Sequence, residues 1–372
     1  MTETFLQYYG WVLVSLLGGV LTTLTFVLGA NLHLGNFRLD AFRRQAILKA
    51  TARKWIFAMA ALGGFAGVVH VAFPLFFSVA FSGARRLWEV LLATFILQLL
   101  AYAICWKSEK PLRSTFFCII LMVNGFLAPL LVGTFIGTFF VGAGFSVGGT
   151  AMAPTVRWAS SWQGLELLTQ PHAVLLGLVE VCLSYIVGGL YVIRVVDDHP
   201  VRKQMRRSVF YMAIPFFVLS VIWFGLLLLR PGFSVDADGV VSKEDYKYFM
   251  NFLHHGPEVI QLTLGGLLLL AGLFFGIKKK SHRKGFRFIV AGTFLVVMGT
   301  FFLAGFHKTP FFPSLTSLQS SLTIRNSSAD FATLHSLFWV FVAIPVVILA
   351  LGFLWYWMDH KKKVTVRRKA NP

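Results

Sequence analysis

The sequence predicts an all-α polytopic membrane protein of about nine transmembrane helices, arranged as two four-helix groups plus one peripheral helix. Three observations predict it. Of the 372 residues, 57% are hydrophobic and only 13% charged, with a mean hydropathy of +0.73; a soluble domain carries roughly a quarter charged residues. The apolar residues come in runs of about 20 or more, long enough to cross a bilayer as helices. Basic residues crowd alternate connections between those runs. The expectation is one integral membrane domain over residues 1–372.

Taken in order, the runs lie at roughly 9–35, 54–80, 87–106, 114–142, 172–195, 208–230, 256–277, 287–305 and 332–358. Ahead of the first run stands Glu3 and no Lys or Arg, which is not the pattern of a cleavable signal peptide. Pro74 removes a backbone hydrogen bond and is expected to kink the second span. Gly63, Gly64 and Gly67 before it, and Gly18, Gly19 and Gly29 in the first span, are expected to permit close helix approach.

The connections alternate in charge. Arg38, Arg43, Arg44, Lys49, Arg53 and Lys54 follow the first run; Lys107, Lys110 and Arg113 the third; Arg194, Arg202, Lys203, Arg206 and Arg207 the fifth; Lys278, Lys279, Lys280, Arg283, Lys284 and Arg287 the seventh. Lys361, Lys362, Lys363, Arg367, Arg368 and Lys369 follow the ninth. The positive-inside rule then puts the N-terminus outside and the C-terminus in the cytoplasm. This distribution also accounts for the net charge of +19. The basic residues set topology and meet anionic lipid headgroups, so nucleic acid is not an expected partner. Cys105, Cys118 and Cys182 lie in or beside apolar runs without C-x-x-C spacing, which indicates neither zinc nor a disulfide framework.

Three long connections fall on the opposite side, at 143–171, 231–255 and 306–331. Trp158 and Trp162 near Glu166 suggest a short interfacial helix in the first. The second is acidic and turn-rich. The third belongs to Gly305–Leu337, a polar stretch dense in Ser and Thr, with Lys308 and Arg325 as its basic residues.

Ionisable groups inside a bilayer are costly and point to function. Glu180 sits mid-way along the fifth span and suits a proton-relay carboxylate or a neutral, hydrogen-bonded acid at a helix contact. His70, in the second span, suits an axial haem ligand or a polar contact between helices. His33, with Thr22, Thr23, Thr25 and Asn31 upstream, suits a hydrated half-channel from the cytoplasm, although Thr and Asn also join helices. Glu89 and Glu258 lie near the outer ends of their spans. His254 and His255 are adjacent, so they do not share a helix face and are a poor metal pair. No P-loop, dinucleotide fingerprint, nucleophile elbow or H-E-x-x-H motif is present.

Four segments nevertheless carry a resemblance. They are Tyr9–Gly19 opening the first span, Phe73–Gly83 closing the second, Trp158–Leu165 in the outer loop, and Leu318–Ser328 before the last span. With the nine-span arrangement, the chain resembles subunit II of cytochrome bd quinol oxidases over nearly its whole length. The resemblance implies a subunit of a quinol:O₂ oxidoreductase in the bacterial cell (inner) membrane. It would support a haem-bearing subunit I that oxidises quinol and reduces O₂ to water with protons from the cytoplasm. It implies haems b and d in that partner and none in this chain, a structural quinone or lipid, contact with the quinol pool and membrane lipids, and a small accessory subunit. Leu318, Gln319, Ser320, Ser321, Leu322, Thr323, Arg325 and Asn326 would make a subunit or loop contact.

The chain also departs from the family pattern. Where many members carry a D-G-F-D-like motif, it has Leu28-Gly29-Ala30-Asn31-Leu32-His33. Where many have an acid after the Trp that opens the second span, Trp55 is followed by Ile56. Where many have an Arg and a Glu late in the third span, it has Gln98–Ala103. Proton uptake is then expected through subunit I, or by a route built on His33 and Asn31, with Glu180 a further candidate. The competing readings are a secondary transporter, and a subunit II that itself binds a b haem through His70 or another histidine.

Overall fold

The computed structural model describes residues 1–36, 38–107, 111–150, 153–254, 256–278, 282–361 and 364. Lys110, His255, Lys279, Lys280, Lys362, Lys363, Arg367, Arg368 and Lys369 lie outside the described residues. Among the described residues nine helices are long and apolar enough to cross a membrane. They are Glu3–Gly35, Ala41–Ala72, Arg85–Cys105, Phe116–Val141, Pro171–Val195, His199–Leu229, Gly256–Ile277, Lys284–Gly305 and Phe338–Asp359, spans one to nine below.

Span seven packs on span eight, span four on five, span five on six and span three on four. Span one packs on spans two and eight, and its last turns wedge between spans four and five. It is the most buried span, whereas span nine is the least buried. The glycines of span one serve the approach expected of them. A Cβ on Gly18 would lie 2.5 Å from the Phe301 ring, and one on Gly29 would lie 2.3 Å from Ser184 Oγ. Gly63 and Gly67 do not: nothing lies within 4 Å of a Cβ there, and both face outward from the chain.

Two elements differ from the sequence reading. The basic stretch after span one is a helix, Ala41–Ala52, capped by Asp40 whose side chain accepts from Arg43 N. It has no breaker and runs on into Trp55–Ala72, so span two begins well before residue 54. The outer connection with Trp158 is a β-hairpin rather than an interfacial helix. β1 (Phe145–Thr150) pairs antiparallel with β2 (Ala153–Trp158). Alternation through Val147, Thr155 and Val156 suits a pleated ribbon, and only a short 3₁₀ turn, Leu165–Thr169, follows. Pro74 acts as expected, but as a break: the helix stops at Ala72, Pro74 opens a new turn, and a π-helical turn at Ser78–Gly83 completes the end.

The core at the loop end is aromatic. Trp11 is fully buried, donates from Nε1 to Phe301 O at 3.2 Å and packs tilted against Phe311 with ring centroids 4.3 Å apart. Phe311 and Phe312 come from the third outer connection and meet Phe76 at 4.9 and 5.5 Å. That connection ties the roof together. Ser314 Oγ donates to Phe145 O, and Ser320 Oγ accepts from Val147 N at 3.1 Å. Gln319 exchanges bonds with Val241 N and O at 3.3 and 3.2 Å, joining β4 (Val241–Glu244), which pairs with β3 (Gly232–Val235).

Candidate functional site: the polar seam of spans one and five

Span one loses regular α-helix at Thr25 and tightens to a 3₁₀ helix over Ala30–Gly35. The change re-aims successive side chains. Two positions apart, Asn31 and His33 stand about 200° apart on an α-helix and about 240° apart on a 3₁₀ helix, so on either they meet different neighbours. The small residues Gly29 and Gly188 let the backbones of spans one and five close on each other, Gly29 against Ser184 and Gly188 against Ala30. Four polar features occupy this close-packed region and its edge.

The first is Glu180, which is buried. Thr25 Oγ1 lies 2.6 Å from both Glu180 Oε1 and Thr22 O. A threonine hydroxyl has one hydrogen and two acceptor lone pairs. It can donate to only one of these oxygens, so the second contact is a full hydrogen bond when Glu180 carries a proton and donates to Thr25.

The second is His33, which is fully buried. Its Nε2 lies 3.0 Å from Tyr185 O, and its ring centroid lies 3.9 Å from that of Tyr185. Because the carbonyl accepts, Nε2 carries the hydrogen. Nδ1 is left as a buried acceptor with no hydrogen-bond partner.

The third is Asn31. Its amide nitrogen donates to Tyr102 Oη at 2.8 Å, and its Oδ1 accepts from Thr51 Oγ1 at 3.2 Å. Gln98 Nε2 donates to the same Tyr102 oxygen at 2.8 Å. All four side chains are buried. The cluster ties span one to spans two and three.

The three predicted proton-route residues are therefore not one continuous line. Glu180 and His33 share the seam with span five, but Ser184 lies between them with its Oγ donating to Val181 O. Asn31 belongs to a separate network on the other side of span one.

The fourth feature escaped the sequence reading. Lys54, grouped there with the topology-setting basic residues, is buried, and its Nζ lies 3.0 Å from Asp359 Oδ1 at the end of span nine. Nζ also donates to Trp355 O and stands 4.3 Å from the Trp355 ring centroid. Tyr191 Oη and Trp355 Nε1 donate to the two Asp359 oxygens at 3.3 and 3.1 Å. The signal available in sequence was a lone acid, Asp359, inside a basic C-terminal run. Tyr102, Gln98 and Thr51 carried no signal beyond being polar residues in apolar segments.

The other candidates are placed as follows. His70 is exposed on the outward face of span two, edge-on to Phe77 with centroids 4.5 Å apart. Glu89 is exposed and pairs with Arg85 at 3.3 Å; Glu258 pairs with His307 at 3.0 Å. Leu318, Gln319, Ser320, Ser321, Leu322, Thr323 and Asn326 lie in the roof. Thr323 and Asn326 close a capping box there, and Ser321 Oγ accepts from Ser314 N. Arg325 is exposed. His172 Nε2 lies 3.3 Å from Trp223 O with the two rings stacked.

A haem-binding role would need a histidine aimed into a cavity. His33 has no such space: a Cβ on Gly189 would lie 2.9 Å from its Nε2. His70 faces out of the bundle, His172 is stacked on Trp223, and the large groove beside span nine has no histidine in its wall. His33, His70 and His172 thus each have a setting that packing accounts for.

Comparison with known proteins gives the frame for this geometry. The model of the family described as cytochrome bd terminal oxidase subunit II matches residues 6–358. The chain is 24% identical to the probable cytochrome oxidase subunit 2 of Haemophilus influenzae, over 94% of this chain and 93% of that one. It is 22% identical to the cytochrome bd-I ubiquinol oxidase subunit 2 of Escherichia coli K12, over 95% and 93%. In fold it is similar to a chain of the bd oxidase from Geobacillus thermodenitrificans, with a TM-score of 0.62 at 11% identity, covering 95% of this chain and 99% of that one. The match leaves no ground for the transporter reading. The chain belongs to the cytochrome bd terminal oxidase subunit II family and is the multi-pass, inner-membrane second subunit of a bacterial respiratory quinol:oxygen oxidoreductase.

Proposed function

We propose that this chain is the non-haem subunit of its oxidase. It supports a haem-bearing partner in which quinol is oxidised and O₂ reduced, with protons taken from the cytoplasm. The observation that carries this reading is the setting of the histidines. His33 is packed beneath Tyr185, His172 is stacked on Trp223 and His70 turns away from the chain. The chemistry of haem is supplied by the partner; this chain's residues hold helices, exclude water and hold protons. The test is a haem count by pyridine haemochrome on the purified complex with His33→Ala, His70→Ala and His172→Ala. An unchanged count in all three is expected. Loss of one b haem with His70→Ala would assign that ligand to this chain.

The same seam supports a second, narrower role. With the basic ends cytoplasmic, His33 is nearest that side and Glu180 lies deeper. Glu180 and Thr25 form a site that holds one proton, and Nδ1 of His33 is an acceptor open to a water or a proton donor. Asn31 braces the helices through Tyr102, so Asn31→Leu acts on stability. Glu180→Gln and His33→Ala are expected to slow proton uptake coupled to turnover. If both variants assembled normally and showed wild-type uptake, protons would enter through the partner subunit alone.

A further inference from the structure

Spans three and four pack on each other, and each carries a cysteine at the same end. Cys105 is the last residue of span three, and Cys118 lies in the first turn of span four. The fold brings the two side chains into hydrogen-bond contact. Both are free thiols, Cys105 buried and Cys118 half-buried. Their spacing in sequence gives no sign of this, because only the packing of the two helices places one sulfur against the other.

Three features of the setting bear on chemistry. The segment joining the two spans carries Lys107, Lys110 and Arg113, so the charge rule puts this end at the cytoplasmic surface. A thiol there is within reach of small oxidants from water, which one at mid-membrane is not. The cytoplasm keeps thiols reduced, and a disulfide that forms in it is usually transient and redox-sensing. The pair is also unequal. An accessible thiol beside a sheltered one is the arrangement in which the first meets the oxidant and the second resolves it.

We infer that Cys105 and Cys118 are a redox modification site that closes to a disulfide when the cell meets a hydroperoxide. The Cys118 thiolate attacks one peroxide oxygen; an S–O bond forms, the O–O bond breaks, and the leaving oxygen departs as water or an alcohol after taking a proton. Cys105 then attacks the Cys118 sulfur; the S–S bond forms, the S–O bond breaks, and a second water leaves. The pair has lost two electrons, and the peroxide has gained them. A dithiol reverses the change by thiol–disulfide exchange.

The closed form would tie the ends of spans three and four together. Tyr102 stands one turn before Cys105 and holds Asn31 and Gln98. The cross-link therefore fixes the helix that braces span one. The inference rests on the thiol pair and is independent of the haem and proton assignments.

The experiment treats membranes carrying the whole complex with hydrogen peroxide, then denatures, labels free thiols with N-ethylmaleimide and digests with trypsin. Cleavage after Lys107 and Arg113 puts the two cysteines on separate peptides. After peroxide these peptides are expected to stay joined, at a mass lower than their sum by two hydrogen atoms, and to have lost their maleimide adducts. Dithiothreitol should restore both adducts. Cys182, which is buried within span five, should keep its adduct throughout and report general oxidation. In Cys105→Ser, Cys118 should stop at the sulfenic acid and be trapped by dimedone. The melting temperature of the purified complex should rise after peroxide in the wild type and not in Cys105→Ser. If Cys105→Ser does not assemble, the wild-type digest and Cys118→Ser, in which Cys105 should keep its adduct, decide. Full maleimide labelling of both cysteines after peroxide, or over-oxidation of Cys118 with Cys105 still labelled, would overturn the inference.

Discussion

Lys54 Nζ and Asp359 Oδ1 stand 3.0 Å apart, with side chains 2% and 5% exposed, and they join the start of one apolar helix to the end of another. Taking charges out of water is expensive, and one charge left alone is worse than the pair. Lys54→Met is therefore expected to destabilise the complex by about 3–5 kcal/mol, because Asp359 keeps its charge and loses its counter-ion. Lys54→Met with Asp359→Leu should recover most of that loss. Thermal unfolding of the four members of this cycle in detergent measures the coupling; additive losses would mean that the pair does not act as a unit.

Thr25 is the partner on which buried Glu180 depends. Thr25→Val removes it and should cost about 1–3 kcal/mol, the desolvation cost of an unsatisfied buried group. Glu180→Gln keeps a donor for Thr25 in its amide N–H and should cost less. Melting temperatures of the two variants check the order.

Gly305 lets the Trp11 indole reach the end of span eight: a Cβ there would lie 2.3 Å from Trp11 Nε1. Gly305→Ala must move a fully buried ring that also donates to Phe301 O. A loss of about 1–3 kcal/mol is expected from overpacking. Tryptophan fluorescence together with thermal unfolding will show whether the indole is displaced.

Replacing Leu318–Ser328 with a Gly/Ser linker removes the contacts to Val147 and Val241 as well as the capping box. The yield of assembled complex should fall sharply. Gln319→Ala alone should loosen the second hairpin, read as faster proteolysis between Gly232 and Glu244. Wild-type yield with the linker would rule out a structural role for this stretch.

Glu244, at the end of β4, has a carboxyl held below the usual carboxylate range, first by its hydrogen bond to Lys247 and then by one to Ser234. A depressed folded-state value contributes stability above the unfolded value, and that stability is lost as pH falls through the folded one. Acidification below the ordinary carboxylate range should therefore loosen the second hairpin, and Glu244→Gln should remove that part of the pH dependence. Hydrogen exchange across 232–254 at two pH values is the measurement. The side chain is about half exposed and the effect is small.

The span count was legible because apolar runs and basic connections are both imposed by the bilayer, and each is written in consecutive residues. Pro74 and the glycines of span one were legible for the same local reason. Residues whose role depends on a distant partner were not. Lys54 reads as one more cation in a basic stretch, and only the fold brings Asp359, more than 300 residues away, to its ammonium. Asn31 and His33 read as one polar patch, and the partners that separate them, Tyr102 and Tyr185, are remote in sequence. The first hairpin was missed because Trp158 and Trp162 suggested an interfacial helix, while the strand alternation around them is short.

The roof over the loop end has a bearing on the order of synthesis. Ser320 meets Val147 across 173 positions of chain and Gln319 meets Val241 across 78. Both hairpins are synthesised before the segment that fastens them has left the ribosome. Phe311 and Phe312, which fill the aromatic core beneath, arrive with that same segment. The nascent subunit therefore passes through a stage with eight spans inserted and an unroofed core, and emergence of residues 306–331 is the step that closes it. Chains truncated before residue 306 should be cleared by membrane proteases, whereas chains ending just after residue 331 should already resist them.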